Sequence, residues 1–474
     1  MPARVVSTLS GEVWMRKICR DHGEQAVRLS TDAAWYEQTR AWPRAEHPPA
    51  LRPHKIELGC PFDCGPCESH SERVRLPVVT ITSACNLDCP ICYVHNRNDG
   101  AFHMALADFD RILEHLTREH GQELDLLNLT GGEPTLHPDF LDILERAKQA
   151  GVHRVTICTN GIRLANDESL VRELARLGAR VALSFDSFQE PADFSLQGAH
   201  LVKLKLRCLE LLEKHQVDTT LIPVMTRGVN EHEIGDILAL GLRLSNVRHL
   251  EVHTMTFTGQ SGVNFPRSGR ISTYEVLECI ETQSQGLLRR SDFVPSPCAH
   301  PLCYQIAYLL VDPAGGPPLP FTRFLSRSEL ADALTDRLYL EPTKKLEHIL
   351  RTAIDRLWSQ DMPDAERALP LLKHLLLDMF PAGAGLTRAE ALRVGERAVK
   401  AVYIHSHMDE ETFDTERARA CCDSNCYADG TQIPVCNYNV LFREKEQQYN
   451  LHPKRWNARH GGQKSFVSLP IVKQ

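Results

Sequence analysis

Three cysteines within eight residues, Cys85, Cys89 and Cys92, follow directly on the apolar, β-branched run Leu76–Thr82. Thiols at C-x3-C-x2-C in so short a loop can hold three irons of a [4Fe–4S] cluster while the fourth iron keeps no protein ligand. A cluster that only carries electrons normally takes a fourth cysteine. A loop that stops at three therefore implies a chelating ligand from outside the chain. The competing reading is a zinc knuckle, which prefers paired C-x2-C units and four ligands.

From about residue 73 to 256, short apolar stretches alternate with amphipathic ones. The strand candidates are Leu76–Thr82, Leu126–Thr130, Arg154–Thr159, Arg180–Phe185, Thr219–Val224 and His249–Thr254. Six βα units predict an α/β fold with a parallel sheet and right-handed crossovers. A partial (β/α)6 TIM barrel is the natural form, with its chemistry at the carboxyl ends of the strands. Gly131-Gly132-Glu133-Pro134-Thr135 follows the second strand, where two glycines let backbone approach a ligand and Pro134 fixes the turn. Thr159-Asn160-Gly161 follows the third strand, Ser184-Phe185-Asp186-Ser187 the fourth and Met225–Asn230 the fifth. Each of these last three is also ordinary turn chemistry.

A second C-x3-C-x2-C, Cys60, Cys64 and Cys67, lies in a Gly- and Pro-rich loop with no strand before it and no aromatic after it. It reads as most of an auxiliary iron–sulfur cluster, with zinc as the alternative. Further cysteines stand in Pro297-Cys298-Ala299-His300-Pro301-Leu302-Cys303, in Cys421-Cys422-Asp423-Ser424-Asn425-Cys426, and at Cys436 beyond an Asp429-Gly430 hairpin turn. Cys19 ends an alternating strand beside His22 and Gly23, a pair as readily structural as ligating. Cys158, Cys208 and Cys279 stand alone in predicted elements and read as small buried hydrophobes.

Sixteen cysteines would mark a disulfide framework in a small secreted chain, but grouped like this in 474 residues they favour metal. Met1-Pro2-Ala3-Arg4 opens no signal peptide and no apolar run approaches the roughly 20 residues that cross a bilayer, so a cytoplasmic location is expected. A net charge of −7 argues against a nucleic-acid binder. The helix expected at Ala368–Met379 is apolar over most of its surface, which means core or, alternatively, a wall for a greasy substrate. The basic tail from Leu451 reads as solvated, with peripheral contact to anionic membrane headgroups the lesser alternative.

The cysteine loop, with Tyr93 directly after Cys92, and the glycine loop one strand downstream resemble the radical S-adenosylmethionine (radical SAM) superfamily. That resemblance implies that the amine and carboxylate of SAM bind the open iron and that one electron cleaves SAM to methionine and a 5′-deoxyadenosyl radical. It also implies SAM contacts from Tyr93, Gly131, Gly132, Glu133, Pro134, Asn160, Ser184, Asp186 and Asn230, and a reductant such as ferredoxin or flavodoxin. The further cysteine groups and Asp429-Gly430-x5-Cys436-Asn437-Tyr438-Asn439 resemble the subfamily of archaeal tetraether lipid synthase and the methylase-like enzyme of pterin cofactor synthesis. Members of that group carry auxiliary [4Fe–4S] clusters and a rubredoxin-like iron.

The expected organisation is a cysteine-rich lobe at 1–72, the radical SAM barrel at 73–265, a helical and auxiliary-cluster domain at 266–450 and a basic tail at 451–474. Outside the SAM loop the candidate ligands are Cys19, Cys60, Cys64, Cys67, Cys298, Cys303, Cys421, Cys422, Cys426 and Cys436. Of these, Cys19, Cys421 and Cys426 are the least determined. Two clusters and a four-cysteine mononuclear iron need more thiols than that, so one or two auxiliary clusters are expected and the mononuclear iron is dropped, unless the natural start lies upstream. The expected function is hydrogen abstraction from an unactivated C–H, with C–C bond formation on lipid chains as first reading. A methylase-like reaction on a pterin or other small molecule is the second, and a peptide-maturing enzyme or a non-catalytic iron–sulfur protein the remaining alternatives.

Overall fold

The structure, a computed structural model, describes residues 3–21, 23–52, 54–57, 59–94, 102–120, 124–334, 339–360, 362, 364–381 and 386–442. His22 and the basic tail fall outside these residues.

All six expected strands form, as Leu76–Thr82, Leu126–Gly131, Arg154–Thr159, Arg180–Ser184, Thr219–Ile222 and Val247–Thr254. Each lies parallel to the next in chain order. The helices between them cover the outer face because their apolar residues recur every three or four positions. Phe109, Ile112, Leu113 and Leu116 are the buried stripe of Leu106–His120, and Leu170, Val171, Leu174 and Leu177 that of Glu168–Leu177. These stripes meet Val79, Ile81, Leu127, Leu129 and Ile157 from the strands in one core. At ~1.5–3 kcal/mol per fully buried aliphatic side chain, this layer dominates the stability of the barrel.

The sheet continues past residue 265. Val399–His405 lies parallel to Val247–Thr254, bringing His405 opposite His253. Tyr304–Leu310 pairs antiparallel on its far side. At the opposite edge Asp423–Cys426 lies parallel to Leu76–Thr82, then turns back at Asp429 and Gly430 into Gln432–Pro434. Gly430, at φ +81°, supplies the left-handed residue that the expected turn requires. The domain expected to be helical at 266–450 also contributes strands: the helix Arg388–Ala398 ends where Val399 opens one. All seven residues of that strand are buried, so it lacks the alternation by which half-buried strands are recognised.

Asp423 faces the space between the two halves of the open sheet. Its carboxylate accepts a hydrogen bond from the Tyr304 hydroxyl and lies 3.6 Å from His405 Nε2. These contacts tie the strand beside the first barrel strand to the strands beyond the sixth. Before the barrel, Ala3–Ser7, Val13–Cys19 and Gly23–Ser30 form a separate antiparallel sheet. Lys17 Nζ anchors it by donating to the Glu410 carbonyl at 2.9 Å. Ala365–Met379 buries Leu371, Leu372, Leu375, Leu376 and Met379 in a second core against Leu346, Leu350 and Leu357.

Candidate active site

Cys85, Cys89 and Cys92 lie at the carboxyl end of the first barrel strand, where the end of the second strand grips their loop. The Gly132 amide donates to the Thr82 carbonyl at 2.9 Å and the Glu133 amide to the Ala84 carbonyl at 2.7 Å. A Cβ at Gly131 or Gly132 would overlap the Thr82 or Ala84 carbonyl oxygen. The two glycines therefore admit the cysteine loop itself. The far side of the loop is held by the segment after Val247–Thr254: the Ser261 amide donates to the Cys92 carbonyl at 3.0 Å, and Gly259, at φ +61°, packs where a Cβ would strike the backbone of Tyr93 and Val94.

Burial pushes the Cys85 thiol up to about 11 and raises Cys89 further, where the neighbouring Cys92 and Cys85 charges add to the effect. Thiols that resist ionisation on their own, as Cys85 and Cys89 do, are suited to a cationic partner that stabilises their thiolates. The loop thus fits the [4Fe–4S] cluster that the sequence implies.

Several expected SAM contacts have their side chains committed to the scaffold. The Glu133 carboxylate, fully buried, accepts from the Thr135 and Thr159 hydroxyls, each at 2.7 Å, and from the Asn160 amide at 2.8 Å. Burial raises its carboxyl above the usual range while these donors pull it back. Asn230, also buried, donates to the Asp186 and Val224 carbonyls and accepts from the Thr226 amide. Asn160 donates to Asn86 Oδ1 at 2.8 Å, inside the cysteine loop. These residues fix the loops relative to one another. Tyr93 is more than a third exposed and stacks on His407, with ring centroids 6.0 Å apart. Pro134 is buried at the start of a single helical turn.

Asp186 belongs to a buried network that spacing gave no hint of. Gln197 accepts from the Cys89 thiol at 3.3 Å and donates to Asp186 at 2.5 Å. Lys205, fully buried, lies 3.7 Å from Asp186 and 3.8 Å from Asp193, and donates to the Ser184 hydroxyl at 3.4 Å. A buried ammonium beside the cluster loop counters the negative charge that thiolates and cluster bring.

The remaining cysteines divide by location. Cys60, Cys64 and Cys67 dock on the C-terminal segment, with Asn437 Nδ2 donating to Cys64 Sγ at 3.0 Å and His70 Nε2 lying 3.0 Å from the Cys421 carbonyl. Cys303, Cys421, Cys422 and Cys436 line one cavity with His405, His407 and Arg417. Cys298 Sγ lies 3.9 Å from Cys422 Sγ, and the Arg417 guanidinium donates to Cys303 Sγ at 3.4 Å. Cys426 faces away, three residues on from Asp423, with its thiol directed to the Ser424 carbonyl and its side chain in the barrel core. Cys19 lies at a hairpin end opposite Gly23. Cys208 is core, as expected, while Cys158 is close enough to Glu251 and Glu133 to feel both charges.

A third cluster of side chains joins these two regions and has no counterpart in the sequence analysis. One ligand nitrogen from each of His253, His405 and His407 lies within 4.8 Å of the other two. Glu251 Oε1 is 3.1 Å from His253 Nε2 and 3.4 Å from His405 Nδ1. His407 Nδ1 is 3.6 Å from Cys436 Sγ. Burial holds the His405 and His407 imidazoles below the usual histidine range, while hydrogen bonds from His253 and His405 keep the Glu251 carboxyl low against its burial. Beyond His407 a cleft opens between the barrel and the N-terminal sheet, lined by Arg28, Trp35, Tyr36, Thr254, Arg270 and Asp414 among others.

Residues 79–241 match the model of the radical SAM superfamily. Over 97% of its length the chain is 26% identical to the 7,8-dihydro-6-hydroxymethylpterin dimethyltransferase of Methanocaldococcus jannaschii, covering 95% of that protein. A probable GTP 3′,8-cyclase of Pyrococcus abyssi is 27% identical over 36% of this chain and 54% of its own. Among solved structures, SuiB of Streptococcus suis bound to S-adenosylmethionine is similar over 45% of this chain and 47% of that one, at 17% identity and a TM-score of 0.36. The matched segment opens inside the first barrel strand and takes in both the cysteine loop and the glycine pair: residues 79–241 are a radical SAM domain.

Proposed function

We propose that this radical SAM enzyme modifies a compact polar heterocycle of the pterin class by a methylase-like reaction. The observation that carries this reading is the similarity to a pterin dimethyltransferase over nearly the whole of both chains. The cleft beside His407, narrow at about 60 Å³, is lined by polar and aromatic side chains, among them Arg28, Arg270, Asp414 and Trp35, and not by the apolar wall a lipid chain would need. The lipid reading came from the resemblance to tetraether lipid synthase and would be favoured by an apolar channel at Ala368–Met379, but most of that helix's apolar face packs against neighbouring helices.

In this proposal Cys85, Cys89 and Cys92 hold the cluster that binds SAM. When bound, cluster and SAM supply the radical that takes hydrogen from an unactivated C–H, which no general base can reach. Gly131 and Gly132 let the loop seat, Glu133, Asn160 and Asn230 hold the strand-end turns, and Lys205 with Asp186 balances charge behind Cys89. Cys60, Cys64 and Cys67, with Cys298, Cys303, Cys421, Cys422 and Cys436, supply eight thiols, enough for two auxiliary [4Fe–4S] clusters without Cys19 or Cys426. No described helix is long and apolar enough to cross a membrane.

The test is anaerobic incubation of the reconstituted enzyme with SAM, dithionite and 7,8-dihydro-6-hydroxymethylpterin, followed by mass spectrometry. Methylated pterin is the expected product. Deoxyadenosine without pterin modification, alongside coupling of isoprenoid chains supplied in parallel, would reverse the order of the two readings.

A further inference from the structure

We propose that His253, His405 and His407 form a mononuclear site for a divalent metal of zinc-like character, bordering the cysteine cavity but taking no thiol as a ligand, and independent of which substrate the enzyme takes. The geometry comes first. The three ligand nitrogens lie within 4.8 Å of one another, close enough for modest side-chain adjustment to bring them onto one ion. The backbone already holds two of the three, because His253 and His405 are direct partners across the parallel pair Val247–Thr254 and Val399–His405. His407 follows by alternation two residues beyond, and its ring centroid lies 3.9 Å from that of His405.

The surroundings also fit a metal. His405 is buried, and its Nδ1 faces Glu251 Oε1 at 3.4 Å. Glu251, within reach of both His253 and His405, is a carboxylate set to orient ligating imidazoles, as the outer shell of histidine metal sites does. Tyr304 stacks on His405 with ring centroids 3.8 Å apart, fixing its plane. Three imidazoles with no thiolate suit zinc or a neighbouring divalent ion better than a cluster iron. Three protein ligands also leave a coordination position open, the pattern of a site that binds a further oxygen or nitrogen ligand. Because His407 borders the cleft, that ligand belongs to the molecule occupying it.

This site also answers the cysteine arithmetic. Two clusters use eight thiols and leave only Cys19 and Cys426 of the candidate ligands, too few for a four-thiol mononuclear ion, whereas the imidazoles require no thiol.

The test uses the full-length protein, purified anaerobically with its clusters intact and equilibrated with Zn2+. Bound zinc is counted after gel filtration and its ligand shell read by X-ray absorption at the zinc edge. The expected result is about one zinc per chain with nitrogen or oxygen neighbours at about 2.0–2.1 Å and no sulfur shell at ~2.3 Å. His253→Ala should lose the zinc while iron and acid-labile sulfide stay at wild-type levels, which also reports that the chain has folded. Glu251→Gln, a gentler change, should weaken zinc binding about 10–100-fold. Absence of zinc, a sulfur-containing shell, or zinc binding undiminished in both variants would each overturn the proposal. So would loss of cluster iron in His407→Ala, which would make that histidine a cluster ligand instead.

Discussion

The two C-x3-C-x2-C loops have the same cysteine spacing and opposite surroundings. Cys85, Cys89 and Cys92 follow a parallel strand, are clasped by the Gly131–Gly132 backbone and have Gln197, Asp186 and Lys205 behind them. Cys60, Cys64 and Cys67 follow irregular chain and are met by a C-terminal segment that brings Asn437 to Cys64 and carries Cys421, Cys422 and Cys436 into one cavity. Spacing alone converges three sulfurs in both. What surrounds them decides whether the remaining position faces more cysteines or the strand ends, where a ligand from solution can reach it.

That contrast breaks most sharply at the cysteines themselves. Cys89→Ala should reduce deoxyadenosine formation from SAM and dithionite to the level of a no-enzyme control, and chromatographic quantitation of that nucleoside checks it. Cys64→Ala should leave this uncoupled cleavage within about twofold of wild type while stopping substrate turnover and removing about four irons per chain, one cluster's worth, by metal analysis. Equal loss of cleavage in both variants would mean that the two loops do not differ in the way their surroundings indicate.

A smaller effect is expected one step out from the sulfurs. Gly132→Ala puts a Cβ into the Ala84 carbonyl, so the loop must shift. The cost should be about 1–3 kcal/mol of stability, and a displacement of ~1 Å at the cluster should slow SAM cleavage on the order of 100-fold. Gly65 packs against the His54 ring rather than against backbone, so Gly65→Ala has a side chain that can yield and should slow it far less. Thermal melts and initial rates of deoxyadenosine formation distinguish the two.

The barrel was legible because its strands are short, apolar and punctuated by Gly, Asn and Asp, signals that depend only on local sequence. The cysteine loop was legible for the same reason. Val399–His405 was not, since a strand buried on both faces has no period, and with it went the histidine cluster, whose members come from two strands that meet only in the folded sheet. A weak trace existed in the alternation of Glu251 with His253 and of His405 with His407. Lys205 was hidden too: on an amphipathic helix a lysine reads as surface, and only tertiary packing turns this one between Asp186 and Asp193. Glu133 and Asn230 stand where ligand contacts were expected, but their side chains hold the loops together.

The finest distinction between the loops lies in one amide each. Gln197 accepts from Cys89 Sγ at 3.3 Å, whereas Asn437 donates to Cys64 Sγ at 3.0 Å. With a cluster in place both sulfurs are thiolates, which accept hydrogen bonds and offer none, so the Asn437 geometry already suits the loaded state. Gln197 must turn its amide or stand off, and its Nε2 is already committed to Asp186. Asn437→Leu should therefore shift the auxiliary cluster to a lower reduction potential, since a donor to sulfur stabilises the more negative reduced form, with deoxyadenosine formation unchanged. Gln197→Leu should leave that potential alone and instead slow SAM cleavage by about 10-fold, the lower end of what an outer-shell partner contributes. Potentiometric EPR titration of the two variants reads both, and a shift of the same cluster in each would place Gln197 and Asn437 at one metal centre and erase the contrast.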